Sequence, residues 1–299
     1  MKQKLGFTQI LIKSARAFMD DKALKMSASL AYYTIFSIAP LLIIIISLSG
    51  LIYGQDALEG KVFAALNDFL GGDIALQIQE MIKRVSLGGN SGPAFIIGLV
   101  VLIIGATGVF TEIQDSINEI WRVKANPQKG WIKLIINRLL SFSLIIGLGF
   151  LLVVSLIVNG LVMALSNRLS VYFPDITVYL VSAINMAITF VVIATLFAII
   201  YKFLPDVKLR WKQVRIAAAF TTLLFMIGHF LFGLYVSYGK PGYAFGAAGS
   251  LVLLLLWIYY TAVILYFGAE FTRVYSESRG EKIELAEFAV PKFKKSKPH

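Results

Sequence analysis

A chain of 299 residues, 58% hydrophobic and only 15% charged, with a mean hydropathy of +0.78, departs from soluble globular domains, which carry about 25% charge. The absence of cysteine excludes disulfides, thiol nucleophiles and thiolate metal sites, and two histidines, His229 and His299, leave little scope for an imidazole-rich metal cluster. The net charge of +11 calls for an anionic surface, and the placement of the charges decides which kind.

In chain order, residues 5–26 are amphipathic: Leu11, Ala15, Phe18 and Met19 form an apolar face while Lys13 and Arg16 reach toward headgroups. They predict an interfacial helix leading into a first membrane span at 31–53, AYYTIFSIAPLLIIIISLSGLIY, where Pro40 removes a backbone donor and kinks the helix. No small-residue cleavage pattern follows this run, so it reads as a span and not a signal peptide. Residues 54–92 carry Leu58, Val62, Leu66, Phe69 and Leu70 at helical spacing. After Gly71-Gly72, Ile74, Ile78, Met81, Ile82 and Val85 do the same. Two amphipathic helices on a Gly-Gly hinge are expected there, either a lid over a cavity or a packed outer cover.

Further apolar runs follow at 93–111, 139–164, 178–200, 216–238 and 245–269. They are too long and too uniformly apolar for barrel strands. The expected fold class is therefore an all-α integral membrane protein with six transmembrane helices, both termini cytoplasmic. It forms one domain over 1–280 followed by a charged, mobile cytoplasmic tail over 281–299. All Lys and Arg except Lys61, Lys83, Arg84, Arg168 and Lys240 fall in the N-terminal segment, the 112–138 and 201–215 loops and the C-terminal segment. With six spans these all lie on one side, which the positive-inside rule makes the cytoplasm. The basic excess is then a membrane address. The expected partners are anionic lipid headgroups at the cytoplasmic face, not a specific nucleic acid. Gly and Ala faces around Gly246 and Gly249 permit self-association into a homo-oligomer.

Two groups of residues can carry chemistry. Glu112, Asp115 and Glu119 lie on one helical face, extended by Arg122. With Glu270 and Arg273, at i, i+3 near the end of the last run, they form a candidate polar cluster at the inner mouth. The carboxylates can hold a divalent cation or relay protons, or can pair with Arg122, Lys124 and the basic loops. His229, Trp257, Tyr259 and Tyr260 sit within apolar runs away from the boundaries that aromatic residues usually prefer. They are candidates for lining a cavity, or else lock helices together through their polar groups. No G-x-S-x-G, Walker A or H-E-x-x-H pattern occurs. No cofactor, resident metal or catalytic residue is assigned, and the chain is not read as an enzyme.

SASLAYYTIFSIAPLL at 27–42, INEIWRV at 117–123, YKFLPDVKLRWK at 201–212 and YAFGAAGSLVLLLLWIYYTAVILYFGAEFTRVY at 243–275 resemble the YihY/BrkB family of bacterial inner-membrane proteins. The resemblance implies six helices with both termini inside, and an envelope role, since some relatives are linked to serum resistance or to export of outer-membrane lipid precursors. The family's old label "ribonuclease BN" finds no histidine-rich metal centre here. The leading expectation is a transporter or flippase of an amphipathic or anionic lipid or envelope metabolite. The alternatives are a non-transporting scaffold or envelope assembly factor, and a membrane-bound metal-dependent hydrolase in which the 112–122 carboxylates and Glu270 share one ion.

Overall fold

The computed structural model describes residues 5–37, 108–125, 174–239, 249–280, 284–286 and 289–292. Six helices occur among them: α1 (Phe7–Asp20), α2 (23–37), α3 (108–120), α4 (Pro174–Phe203), α5 (Trp211–Gly239) and α6 (Gly249–Ser278). Four short strands join them: β1 (Val123–Ala125), β2 (Val207–Lys208), β3 (Glu284–Leu285) and β4 (Ala289–Pro291).

The boundaries follow from local chemistry. α1 stops at Asp21, whose N–H still bonds Ala17 O at 2.9 Å, and Lys22 then adopts a left-handed φ of 55° before α2 begins. Pro174 opens α4, where its fixed φ suits the first helical position and its missing N–H costs nothing. Pro205 cannot continue that helix. At the start of α5, Gln213 Oε1 accepts the Arg210 N–H at 2.9 Å, one half of a capping box. α6 closes on Gly280, φ 69°, whose N–H reaches Glu277 O at 3.0 Å. Within the helices Ser14, Ser27, Thr221 and Thr272 return their hydroxyls to the carbonyl four residues back, so these polar groups need no water.

Three described helices are long and apolar enough to cross a membrane: Tyr179–Phe203, Trp211–Gly239 and Leu251–Ser278, of 25, 29 and 28 residues. The expectation of six transmembrane helices is corrected to these three among the described residues. α1, expected as an interfacial helix and not a span, has 14 residues and reaches about 21 Å at 1.5 Å per residue, short of the roughly 30 Å hydrocarbon core. The expected spans at 31–53, 93–111 and 139–164 lie outside the described residues except for 31–37 and 108–111, and the expected outer cover at 54–92 lies wholly outside them. The all-α expectation is corrected too. β1 pairs antiparallel with β4, Val123 opposite Pro291, and β2 with β3, Val207 opposite Leu285. Both partner strands come from the segment after 280.

The chain divides into two compact units. One contains α1, α3 from Gln114, α4, α5 as far as Gly228, α6 from Ile264 and both ribbons. In it α4 and α5 run antiparallel, as Tyr201 meets Thr221 and Phe197 meets Phe225. α1 turns Ile10, Ser14 and Phe18, one per helical turn, inward. Ile10 joins Phe271 and Val274 of α6, with Leu11, Ile216 and Phe220 around them. Phe220 stacks on Phe271 at 3.9 Å between ring centroids. α1 leaves Ile12 and Met19 exposed, as suits a helix in the headgroup layer. The other unit contains α2, the remainder of α5 from His229 and α6 up to Val263.

Candidate functional site: a buried ion network

The carboxylate at the end of α1 organises the first unit. Asp21 has a side chain only 2% exposed, and its Oδ1 lies 2.5 Å from Arg122 Nη2, just past α3. Its Oδ2 is 3.8 Å from Arg273 Nη2 on α6, an ion-pair separation too long for a hydrogen bond. Arg273 donates to Glu270 Oε2 from Nη2 at 2.8 Å and from Nε at 3.2 Å, and Nη1 reaches Glu277 at 3.4 Å. Glu270 is fully buried. Two carboxyl groups and two guanidiniums thus meet, with the Arg122 side chain partly exposed and Glu277 at the solvent edge. Asp21 Oδ2 and Glu270 Oε1 are buried and take no hydrogen bond from an arginine or amide donor, and the Asp21 and Glu270 carboxyl groups interact with each other. Arg273 is the hub, with three carboxyl groups at unequal distances of 2.8, 3.4 and 3.8 Å.

Backbone strain sits at the same place. Lys22 and Arg122, each next to or part of the Asp21–Arg122 pair, both carry left-handed φ values, 55° and 58°. Such conformations cost a side-chain-bearing residue about 1–2 kcal/mol. β1 follows directly, and Arg122 O accepts the N–H of Lys292 beside β4 at 2.9 Å.

A second polar centre adjoins α3. Asp206, 2% exposed, accepts from Gln114 Nε2 at 3.0 Å and Asn118 Nδ2 at 2.9 Å, while its own N–H donates to Asn118 Oδ1 at 2.8 Å. Asp206 O also takes the Ala286 N–H beside β3 at 3.0 Å. A third centre joins α4, α5 and α6: Tyr201 OH donates to Leu265 O at 2.8 Å and shares a 3.1 Å bond with Thr221 Oγ1. Gly268 makes room for it, since a Cβ there would come within 3 Å of both the Tyr201 and Thr221 oxygens.

Of the residues singled out from sequence, Arg122, Glu270 and Arg273 meet in the network. Glu119 is directed instead to Lys292, whose Nζ it binds. Glu112 is half-buried and Asp115 exposed. Among the described residues no group of three His, Asp or Glu side chains is placed to hold a metal ion. In the second unit His229 packs edge-on to Trp257 at 5.2 Å, and Phe232 bridges Trp257 and Tyr260 at 5.0 and 6.2 Å. Tyr259 is half-buried on the same stretch of α6. Sequence reasoning missed Asp21, Asn118 and Asp206. The signal for Asp206 was present in the LPD sequence after a long apolar run, where a carboxylate beside a helix-ending proline needs donors.

Three long apolar helices, the last of them tied by ion pairs to the ends of α1 and α3, define a multi-pass helical membrane protein. The sequence matches the virulence factor BrkB family over residues 14–291, and the chain belongs to that family as a multi-pass bacterial inner-membrane member. It is 29% identical over 271 residues to a UPF0761 membrane protein of Pseudomonas aeruginosa, covering 89% of this chain and 62% of the relative. A UPF0761 membrane protein of Tolumonas auensis is 24% identical over 268 residues, covering 88% and 83%. One of Xanthomonas campestris is 28% identical over 260 residues, covering 85% and 57%. The chain spans about three-fifths of the length of the Pseudomonas relatives. No solved structure matches it.

Proposed function

We propose that this protein moves an amphipathic, anionic lipid or envelope metabolite across the inner membrane, with its basic segments facing the cytoplasm. The observation that carries this reading is the ion network of Asp21, Arg122, Glu270 and Arg273, in which the Asp21 and Glu270 carboxyls are buried beside each other and share Arg273. Burying charge costs several kcal/mol per ion, and well-packed apolar side chains of similar volume often hold a static joint as well or better. A network with alternative pairings suits an element that changes partners as it works. The orientation is supported by the way α1, the 204–210 link and the end of α6 are tied together by ion pairs and ribbons. This groups basic segments that the positive-inside rule assigns to the cytoplasm.

The test is reconstitution into liposomes carrying labelled anionic and zwitterionic lipids, with wild type beside Asp21→Asn. Protein-dependent movement that falls in the variant supports transport. No movement across the whole lipid panel, from protein shown to be folded, overturns it.

A second reading, a non-transporting scaffold, draws on the ring packing of His229, Phe232, Trp257 and Tyr260 between α5 and α6. Because the chain has no cysteine, α5 and α6 can be locked by an introduced disulfide across that seam. A scaffold keeps its function in cells when locked, whereas a transporter whose helices must separate there loses it.

A further inference from the structure

The link between α4 and α5 holds a cavity that neither the network nor the family membership accounts for. Its volume is about 370 Å3, and Lys202, Lys208, Arg210 and Trp211 line it, with Glu284 of β3 at its side. Three cations thus face one carboxylate. Lys208 and Arg210 are exposed, and the first turn of α5 contains no acidic residue to neutralise them. Lys202 is held back from the opening, its Nζ donating to Leu209 O and lying 5.6 Å from the centre of the Trp211 ring.

The position of the cavity restricts what fills it. α4 ends its apolar stretch at Phe203 and α5 begins its own at Trp211. The two run antiparallel, so the link between them emerges at one membrane face. Trp211 packs edge-on to Phe203 at 6.3 Å and is half exposed, as expected of an aromatic residue at headgroup depth. A volume near the lower end of the ~300–1,000 Å3 range of small-molecule pockets accommodates a headgroup and not a whole lipid. Beside it, exposed Phe203 at the end of α4 offers apolar surface to an acyl chain.

From this we infer that the cavity is a binding site for a phosphate group at the membrane surface, with Lys208 and Arg210 as its principal ligands and a phospholipid headgroup as its source. Arg210 supplies a planar fork that matches two phosphate oxygens, and Lys208 a mobile point charge. Lys202 and Trp211 form the floor. The site requires only that α4 and α5 cross the membrane, so it stands whether or not the protein transports.

The test uses the full chain in phosphatidylcholine nanodiscs doped with fluorescent phosphatidylglycerol, with binding read by energy transfer from tryptophan and retention of lipid read by native mass spectrometry. The double variant Lys208→Gln/Arg210→Gln is expected to bind at least about tenfold more weakly. Glu284→Gln is expected to bind more tightly than wild type. Lys212→Gln/Arg215→Gln removes equal charge from neighbouring exposed positions outside the lining and is expected to change binding by less than about threefold. Displacement by millimolar inorganic phosphate identifies free phosphate as the occupant; its failure to displace identifies the lipid, and either result keeps the phosphate site. Wild-type binding in the Lys208/Arg210 variant, an equal loss in the Lys212/Arg215 variant, or equally tight binding of oleate in place of the phospholipid overturns the proposal.

Discussion

Asn118 and Asp206 hold each other in a two-way clamp: the Asn118 amide donates to Asp206 Oδ2 at 2.9 Å and its Oδ1 accepts the Asp206 N–H at 2.8 Å. Both are buried, so neither group can fall back on water. Asn118→Ala therefore leaves a carboxylate oxygen and a backbone donor short of a partner. The expected cost is about 2–4 kcal/mol. Asn118→Asp should cost more, because it keeps the acceptor for the N–H but sets carboxylate against carboxylate. Thermal unfolding in detergent, followed through tryptophan fluorescence, measures both. An Asn118→Ala protein that melts with the wild type would show that the clamp carries no stability.

The clamp shows where sequence reading succeeds and where it stops. α4, α5 and α6 are legible because each is an uninterrupted apolar run longer than ~20 residues, a property of the run alone. The contact of Glu270 with Arg273 is legible because three residues of helix bring any such pair together. Asp21 is not legible. In the segment MDDK, within the amphipathic 5–26 stretch, nothing marks it off from its neighbour Asp20, and only Arg122 and Arg273, distant in sequence, make it a buried ion. The ribbons are not legible either, since strands of two or three residues show no periodicity and their partners lie far along the chain. Six spans are more than the three that the described residues contain, at α4, α5 and α6.

Gly268 sits where Tyr201 and Thr221 meet, and a methyl group there would approach their oxygens to within 3 Å. Gly268→Ala is expected to lose about 3 kcal/mol or more, from overpacking and from the displaced Tyr201 bonds. Thr221→Ala in the same chain should restore part of the loss by vacating one side of the clash. Gly233, on the same type of membrane-length helix, has nothing within 4 Å of its would-be Cβ. Gly233→Ala should be neutral or stabilising by up to about 1 kcal/mol. Parallel melting curves for the three variants check the ordering, and a Gly268→Ala protein as stable as Gly233→Ala would contradict it.

Removing one member of the ion network should hurt more than removing a pair. Arg273→Leu leaves Glu270 buried with its main counter-charge gone and Asp21 with only Arg122, at an expected cost of about 3–5 kcal/mol. Glu270→Leu combined with Arg273→Leu replaces both charges by apolar groups and should recover much of that cost. A double-mutant cycle of unfolding free energies gives the coupling directly. Additive losses, with no recovery in the double variant, would mean that the two side chains do not depend on each other. If the network also serves transport, the double variant regains stability without regaining lipid movement, which separates the two roles.

The paired left-handed residues allow backbone and side-chain contributions to be told apart. Lys22 is exposed and carries φ 55°, so replacement by glycine relieves about 1–2 kcal/mol of strain. Against this stands the greater freedom of glycine in the unfolded chain, about 0.5–1 kcal/mol. Lys22→Gly should therefore raise stability by up to about 1 kcal/mol. Arg122 has nearly the same φ, 58°, and gains the same relief, but its guanidinium is the partner of buried Asp21 at 2.5 Å. Arg122→Gly should lose about 2–4 kcal/mol once the strain relief is subtracted from the cost of an unpaired buried charge. Opposite signs for two glycine substitutions at nearly equal φ, read from unfolding midpoints under identical detergent and lipid, isolate the ion pair. Equal signs would place the effect in the backbone and leave Asp21 without the role given to it here.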